Sequence, residues 1–113
     1  MQAHDVRLNV TDFTAFAAPL EIAATIYLPD LKTLSTPPIL MCALPGGGYS
    51  RHYFDMRFTG REGYSQAEHH VAHGIIFASL DVIGSGDSTI PDQSLVTFSL
   101  LAATYANAVR QIA

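Results

Sequence analysis

The sequence predicts an α/β fold, in which an antiparallel edge hairpin precedes a βαβ unit and a long helix. Three patterns predict it: alternating apolar residues near the N terminus, two continuous apolar runs around a helical pattern, and an amphipathic pattern at the C-terminal end. Alternation is typical of antiparallel strands with one solvated face, whereas continuous apolar runs are typical of parallel strands covered on both faces. We therefore expect a mixed sheet.

The first two strands are predicted from their period of two. Apolar residues alternate with their neighbours in two runs: Val6, Leu8 and Val10, then Leu20, Ile22, Ala24, Ile26 and Leu28. Such alternation predicts a half-buried antiparallel pair at an edge of the sheet.

The βαβ unit is predicted from residue 39 onward. Ile39–Leu44 and Ile75–Asp81 are continuously apolar, and we expect them to pair in parallel. Between them the pattern predicts a short helix over Ser65–His73, with Ser65 as its N-cap and Gly74 ending it. Strand, helix and strand then form a right-handed crossover.

The last predicted element is a long helix. Apolar residues recur at spacings of three and four after Pro91, with Asp92 or Ser94 as the expected cap: Leu95, Phe98, Ala102, Tyr105, Val109 and Ile112. We expect the chain to end within an element of its fold. We expect Ile75–Asp81 to keep an unpaired sheet edge, through which chains could self-associate.

Composition indicates one small soluble domain. The chain has 113 residues, of which 49% are hydrophobic and 14% charged, and its net charge of -4 contains no basic block. That balance argues against nucleic-acid or anionic-membrane partners. The single cysteine, Cys42, cannot form an intrachain disulfide, and the N terminus lacks the features of a signal peptide, so we predict a cytoplasmic protein.

Two glycine-bearing motifs follow the two apolar runs. The first, "PGGGY", comes directly after Ile39–Leu44, and the second, "DVIGSGDS", has the form D-x-x-G-x-G-x-S. Three consecutive glycines suggest a loop that approaches another group closely or adopts positive φ. The simplest alternative is that "PGGGY" is only a tight turn between a strand and a loop.

With these motifs on these elements, the chain resembles the N-terminal portion of an α/β-hydrolase. The resemblance implies that Gly47 and Gly48 donate backbone N–H groups to an oxyanion hole, that Tyr49 lines a pocket for a small acyl substrate, and that no cofactor is needed. It also implies that the second motif is a structural turn, formed by Asp81, Gly84, Gly86 and Ser88. The chain departs from the family at Pro45, where histidine is frequent, and at Ile83, where arginine is frequent.

No G-x-S-x-G motif occurs in the sequence. The resemblance implies that the catalytic serine, acid and histidine follow Ala113, so that residues 1–113 form the N-terminal portion of one hydrolase domain, truncated before the nucleophile elbow. The resemblance thus implies a serine hydrolase that acts on esters or related acyl compounds. This chain is a portion of that enzyme, and by itself we expect it to be inactive. The alternative is a non-catalytic, hydrolase-like remnant or pairing module.

Other interpretations of the same residues are weaker. His69 and His73 lie one helical turn apart, but no H-E-x-x-H motif is present, and we predict no metal site. "GSGDST" lacks the third glycine of a dinucleotide fingerprint, and "GGGYSRH" lacks the Gly-Lys of a P-loop. The aromatic residues and arginines between Arg51 and Tyr64 are better explained as a lid or pocket rim than as a surface for single-stranded nucleic acid.

Overall fold

A computed structural model describes residues 1–11 and 19–113. In chain order, the regular elements are β1 (Gln2–Asn9), β2 (Glu21–Leu28), β3 (Leu40–Ala43), α1 (Gln66–Ala72), β4 (Ile76–Leu80) and α2 (Phe98–Ile112). The connections also contain short 3-10 helices, among them Arg51–Asp55 and Gln93–Leu95. Within these ranges, no helix has the length and hydropathy that a membrane span requires.

The strands form one mixed sheet in the order β1-β2-β4-β3. β1 pairs antiparallel with β2, from Gln2 opposite Leu28 to Asn9 opposite Glu21. β3 pairs in parallel with β4, beginning with Leu40 opposite Ile76. The predicted antiparallel hairpin and parallel pair are therefore confirmed.

The two helices cover opposite faces of the sheet. An α1-side core contains Ala67 and Val71 packed with Tyr27 and Phe77. An α2-side core contains Leu100 and Ala108 from the helix together with strand and loop residues: Val10, Leu20, Ile22, Ala24, Ala78, Leu80 and Ile83. Both helices cover the sheet as predicted.

The expectation that β2 is half-buried is wrong. Ile22 and Ala24 enter the α2-side core, while Tyr27, on the opposite face, is 2% exposed and belongs to the α1-side core. β2 also pairs on both sides, with β1 and with β4. Because it is an interior strand under both helices, only β1 keeps the exposed pattern of an edge.

The expected open edge along Ile75–Asp81 is also wrong. β4 pairs antiparallel with β2 from Ala24 opposite Leu80, and in parallel with β3 on its other side. The apolar side chains of β4 are covered on both faces of the sheet, and each edge of the strand is hydrogen-bonded to a neighbouring strand. Among the described strands, the apolar open edge is therefore that of β3.

The predicted short helix is confirmed as α1. The Ser65 hydroxyl accepts a hydrogen bond from the Glu68 N–H at 3.0 Å, as expected of an N-cap. Gly74 follows the helix at φ 79° and lies so close to the Thr33 carbonyl that a side chain at this position would overlap it.

The predicted start of the long helix is wrong. Asp92 caps only the 3-10 helix Gln93–Leu95, whereas α2 begins at Phe98 with Thr97 as its N-cap. Val96 is extended, with ψ 102°, so Leu95 does not belong to the helix that follows. Of the predicted apolar face, Leu95, Phe98 and Ala102 are exposed, whereas Tyr105 and Ile112 pack against the α2-side core. The buried residues of α2 are Leu100, Thr104, Asn107 and Ala108.

Candidate functional site

The two glycine-bearing loops meet at one edge of the sheet. Because β3 and β4 are parallel, their carboxyl ends lie side by side, and each is followed by one of the loops. An open pocket of about 470 Å³ lies between the loops. Its lining residues come from both loops and the first 3-10 helix: Gly48, Tyr49, Ser50, His52, Tyr53, Met56, Ser85 and Gly86.

The first loop contains a tight turn, which we call the glycine turn (Gly46–Tyr49). The Tyr49 N–H donates to the Gly46 carbonyl at 3.1 Å. Gly48 has φ 81°, whereas Gly47 lies outside the positive-φ region. A positive φ at the third residue only is the pattern of a type II turn, which favours glycine there.

The amide groups of this turn are available to a ligand. Within residues 1–11 and 19–113, the N–H groups of Gly47 and Gly48 donate to no protein acceptor. A Cβ on either residue would have no atom within 4 Å, and one on Gly46 would make only an ordinary 3.8 Å contact with Tyr49. The fold therefore accounts for glycine at position 48, through its φ, but not for the other two glycines.

Tyr49 lies at the pocket with an exposed ring. Its side chain is 56% exposed, and the ring packs edge-to-face against Tyr53 with 5.1 Å between centroids. Together with Met56 these rings give the pocket an apolar wall.

The second loop is organised around Asp81, which is 1% exposed at the end of β4. Its carboxylate accepts the Asp87 N–H at 2.9 Å, and its carbonyl accepts the Ser88 hydroxyl at 2.8 Å. The Ser88 oxygen in turn accepts the Ala23 N–H at 2.9 Å, which joins the turn to β2. Ile83, at the position where the resemblance leads one to expect arginine, is 2% exposed in the α2-side core.

Gly84 and Gly86 both have positive φ, at 91° and 57°. At Gly86 the backbone also passes directly over the Asp81 carboxylate, since a Cβ there would lie 2.5 and 2.6 Å from the two carboxylate oxygens. Close approach and backbone conformation both require glycine at position 86.

Sequence reasoning missed Arg51, the residue that joins the two loops. Its side chain is 7% exposed, and its Nη1 donates to Asp81 Oδ2 at 2.5 Å and to Asp87 Oδ2 at 2.8 Å. Its backbone N–H donates to Asp81 Oδ1 at 2.6 Å, and its Nε donates to Thr25 Oγ1 at 3.0 Å. Hydrogen bonding to Arg51, then the charge of Arg51, lowers the pKa of the Asp87 carboxyl from its ordinary 3.8. Arg51 lies two residues after the glycine turn, but nothing in the sequence relates it to Asp81 or Thr25.

The two histidines considered as metal ligands lie apart from His52. His69 and His73 are on the exposed side of α1, where the His73 Nδ1 is 2.8 Å from the His69 carbonyl. His52 lies at the pocket, with its Nε2 4.0 Å from Asp87 Oδ2. In the part of the chain that the structure describes, no group of three or more histidine, cysteine or acidic residues is arranged to hold a metal ion.

Two serines near the pocket, Ser50 and Ser88, have structural partners, whereas Ser85, which also lines the pocket, makes backbone hydrogen bonds. Ser50 accepts the His52 N–H at 3.3 Å, and Ser88 joins Asp81 to β2. Among the described residues, no serine hydroxyl is hydrogen-bonded to a histidine ring. The described residues thus contain a turn with available amides but not the nucleophile–base contact of a serine hydrolase.

No family model and no curated protein matches this sequence. Solved structures do match its fold. A bromoperoxidase from Bacillus anthracis matches with 14% identity and a TM-score of 0.70, over 96% of this chain and 31% of that one. A probable hydrolytic enzyme from Pseudomonas aeruginosa PAO1 matches with 15% identity and a TM-score of 0.69, over 98% of this chain and 30% of that one. Both have the α/β-hydrolase fold. The chain has the fold of the N-terminal portion of such structures and spans about 30% of their length, which confirms the predicted fold class.

Proposed function

We propose that this chain is the oxyanion-loop portion of a serine hydrolase of the α/β-hydrolase type, acting on esters or related acyl compounds. The observation that carries the proposal is the pair of N–H groups, on Gly47 and Gly48, that have no acceptor among the described residues and follow the carboxyl end of β3. The hydrolase-fold structures that match the chain support the same class of activity.

The chemistry of acyl transfer explains why such a turn is useful. Attack on an ester carbonyl places negative charge on its oxygen, and donors held where that charge develops lower the barrier. Glycine amides suit this role because no Cβ blocks the approach of the substrate. Tyr49 would line the acyl side of the pocket. The catalytic serine, acid and histidine lie, in this proposal, outside residues 1–113.

The N–H of Gly47 can be removed with little change to the turn. Gly47 is the second residue of a type II turn, a position that favours proline, and a side chain there meets no atom within 4 Å. In an active hydrolase that contains this chain, Gly47→Pro deletes one donor, and we expect kcat for a p-nitrophenyl ester to fall about 100- to 1000-fold.

The matched control is Gly47→Ala, which adds a side chain at the same position but keeps the N–H. We expect its kcat to stay much closer to that of the unsubstituted enzyme, with the same thermal unfolding temperature for both variants. Equal activity of the proline and alanine variants would contradict the donor role. The 113-residue chain by itself is expected to hydrolyse no ester above the buffer rate, because no base among residues 1–11 and 19–113 is arranged to activate a serine.

A second candidate function, that of a non-catalytic pairing module, is favoured by the open edge of β3. This strand carries no charge or proline, and the flanking Ile39 and Leu44 are 49% and 46% exposed. Unpaired, uncharged edges of this kind associate with other strands. Under this candidate the chain would self-associate without binding or hydrolysing acyl compounds.

A further inference from the structure

The glycine turn has few contacts that could set its position. Gly47 and Gly48 have open space around them, and the ring of Tyr49 is mostly exposed. On its N-terminal side the turn is joined to the sheet through β3, whose last pair is Ala43 opposite Ser79. On its C-terminal side, the first buried residue is Arg51.

Arg51 binds the Asp81 carboxylate through both its main chain and its side chain. The backbone N–H contacts Oδ1 at 2.6 Å and the guanidinium contacts Oδ2 at 2.5 Å. Attachment at two points fixes the direction of the chain as well as its position. The same carboxylate accepts the Asp87 N–H, so that one buried anion holds the first loop against the second.

The other guanidinium contacts extend this connection to the hairpin. Nε donates to Thr25 Oγ1 at 3.0 Å, and the Thr25 hydroxyl donates to Asp5 at 2.7 Å. A planar guanidinium can bind Asp81, Asp87 and Thr25 at once, whereas a lysine ammonium presents a single point charge. The side chain of Arg51 therefore has a geometry that lysine cannot reproduce.

We propose that Arg51 is the positioning residue of the glycine turn: it orients the Gly47 and Gly48 amides by holding the end of the turn on Asp81. This inference rests on the function proposed for the turn. Replacing the side chain takes the guanidinium away from the buried Asp81 carboxylate, so a substitution at Arg51 should leave the turn held by the main-chain N–H alone and loosen it.

The test uses the ¹⁵N-labelled 113-residue chain. In the unsubstituted chain, we expect the backbone order parameters of Gly47 and Gly48 to be about 0.85, as in rigid structure, and in Arg51→Lys to fall below about 0.6. The amides of β2 and β4 should keep their order in this variant. Arg61→Gln is the control, because Arg61 lies in an exposed loop outside the site.

Arg51→Gln removes the charge altogether and is expected to loosen the turn at least as much. If that variant does not fold, Arg51→Lys decides alone, since it retains the positive charge. Order parameters for Gly47 and Gly48 that stay unchanged in a folded Arg51 variant would overturn the proposal.

Titration with butyrate, a carboxylate probe for the oxyanion, separates this inference from the function on which it rests. Positioning by Arg51 predicts that butyrate shifts the Gly47 and Gly48 amide signals in the unsubstituted chain and shifts them less in Arg51→Lys. Equal shifts in both chains would overturn the proposal. If butyrate shifts neither signal in the unsubstituted chain, the donor role of the turn is contradicted, while the order parameters still decide whether Arg51 positions it.

Discussion

Replacing Gly86 with alanine tests how tightly the second turn is built on Asp81. The residue has φ 57°, and the new Cβ would lie 2.5 Å from Oδ2 and 2.6 Å from Oδ1 of Asp81. These distances are too short for a contact between a carbon and an oxygen atom, so the carboxylate or the turn must move. Either movement breaks the contacts between Asp81 and Arg51.

The expected cost has two parts. Left-handed backbone conformation costs a residue with a Cβ about 1–2 kcal/mol. Separation of a buried ion pair costs about 3–5 kcal/mol, because the remaining charge is buried without its partner. Since small domains have a net stability of about 5–15 kcal/mol, we expect Gly86→Ala to lose a large part of the free energy of unfolding.

Gly48→Ala is the matched control for this substitution. Gly48 also has positive φ, 81°, but a Cβ there meets nothing within 4 Å. It should therefore show the backbone cost alone, about 1–2 kcal/mol. Urea denaturation followed by circular dichroism measures both free energies of unfolding. Equal losses in the two variants would refute the close packing of Gly86 on Asp81.

Three further predictions concern other parts of the molecule. Tyr105→Phe should raise the free energy of unfolding by about 1 kcal/mol, because the Tyr105 hydroxyl is buried with no hydrogen-bond partner among the described residues. Burial, then the charge of Asp81, also raises the pKa of Tyr105 to about 12. The stability that depends on a neutral Tyr105 is therefore complete below pH 10.0 and is lost as the pH rises through about 12. Urea denaturation of the phenylalanine variant should not show this alkaline loss. Asp87→Asn should be less stable than the unsubstituted chain at neutral pH. Arg51 lowers the pKa of Asp87 in the folded chain, so the contribution of the Asp87 carboxylate to stability is complete above pH 3.8 and is lost as the pH falls through the lower pKa of the folded state. Below that pKa, the unsubstituted chain and Asp87→Asn should have the same urea midpoint. Leu44→Lys places a charge beside the open edge of β3 and should reduce self-association in sedimentation velocity experiments.

Each of these predictions has an outcome that would count against it. A lower urea midpoint for Tyr105→Phe would mean that its hydroxyl has a partner. A constant stability difference between the Asp87 variant and the parent from pH 7 to pH 2 would rule out its pairing with Arg51. For Leu44→Lys, the control is Leu31→Lys on an exposed loop; equal effects of the two lysines would show only a change in solubility.

The strands and the parallel pairing were predictable because they depend on local patterns. Ile76–Leu80 is apolar at nearly every position, and only a strand covered on both faces needs such a composition. The neighbours of that strand were not predictable in the same way. Any exposed backbone edge can pair with any other, and the pattern within β4 does not specify that β2 takes one side.

The start of α2 was missed because two capping residues lie close together. Asp92 and Thr97 each accept the N–H of a following residue, and only the extended residues Val96 and Thr97 separate the helices that they begin. N-cap propensity does not distinguish Asp92 from Thr97, since aspartate and threonine are both favoured at the N-cap position.

Arg51 could not be assigned from the sequence for a different reason. Its partner Asp81 is 30 residues away and Thr25 is 26 residues away, so no spacing in the chain relates them. The glycines of the two loops were identified by their unusual composition, whereas the group that connects these loops has an ordinary residue type. Long-range polar contacts of this kind become visible only in three dimensions.

The strand order also determines when the sheet can form during synthesis. β4 lies between β2 and β3, although it is the last of these strands to leave the ribosome. Until Leu80 has emerged, β2 and β3 are made but have no strand to join them, and their apolar edges are open to other chains. Pairing of Ala24 with Leu80 spans about half of the sequence, and contacts this distant form slowly. The nascent chain therefore depends on the arrival of one five-residue strand to close its sheet.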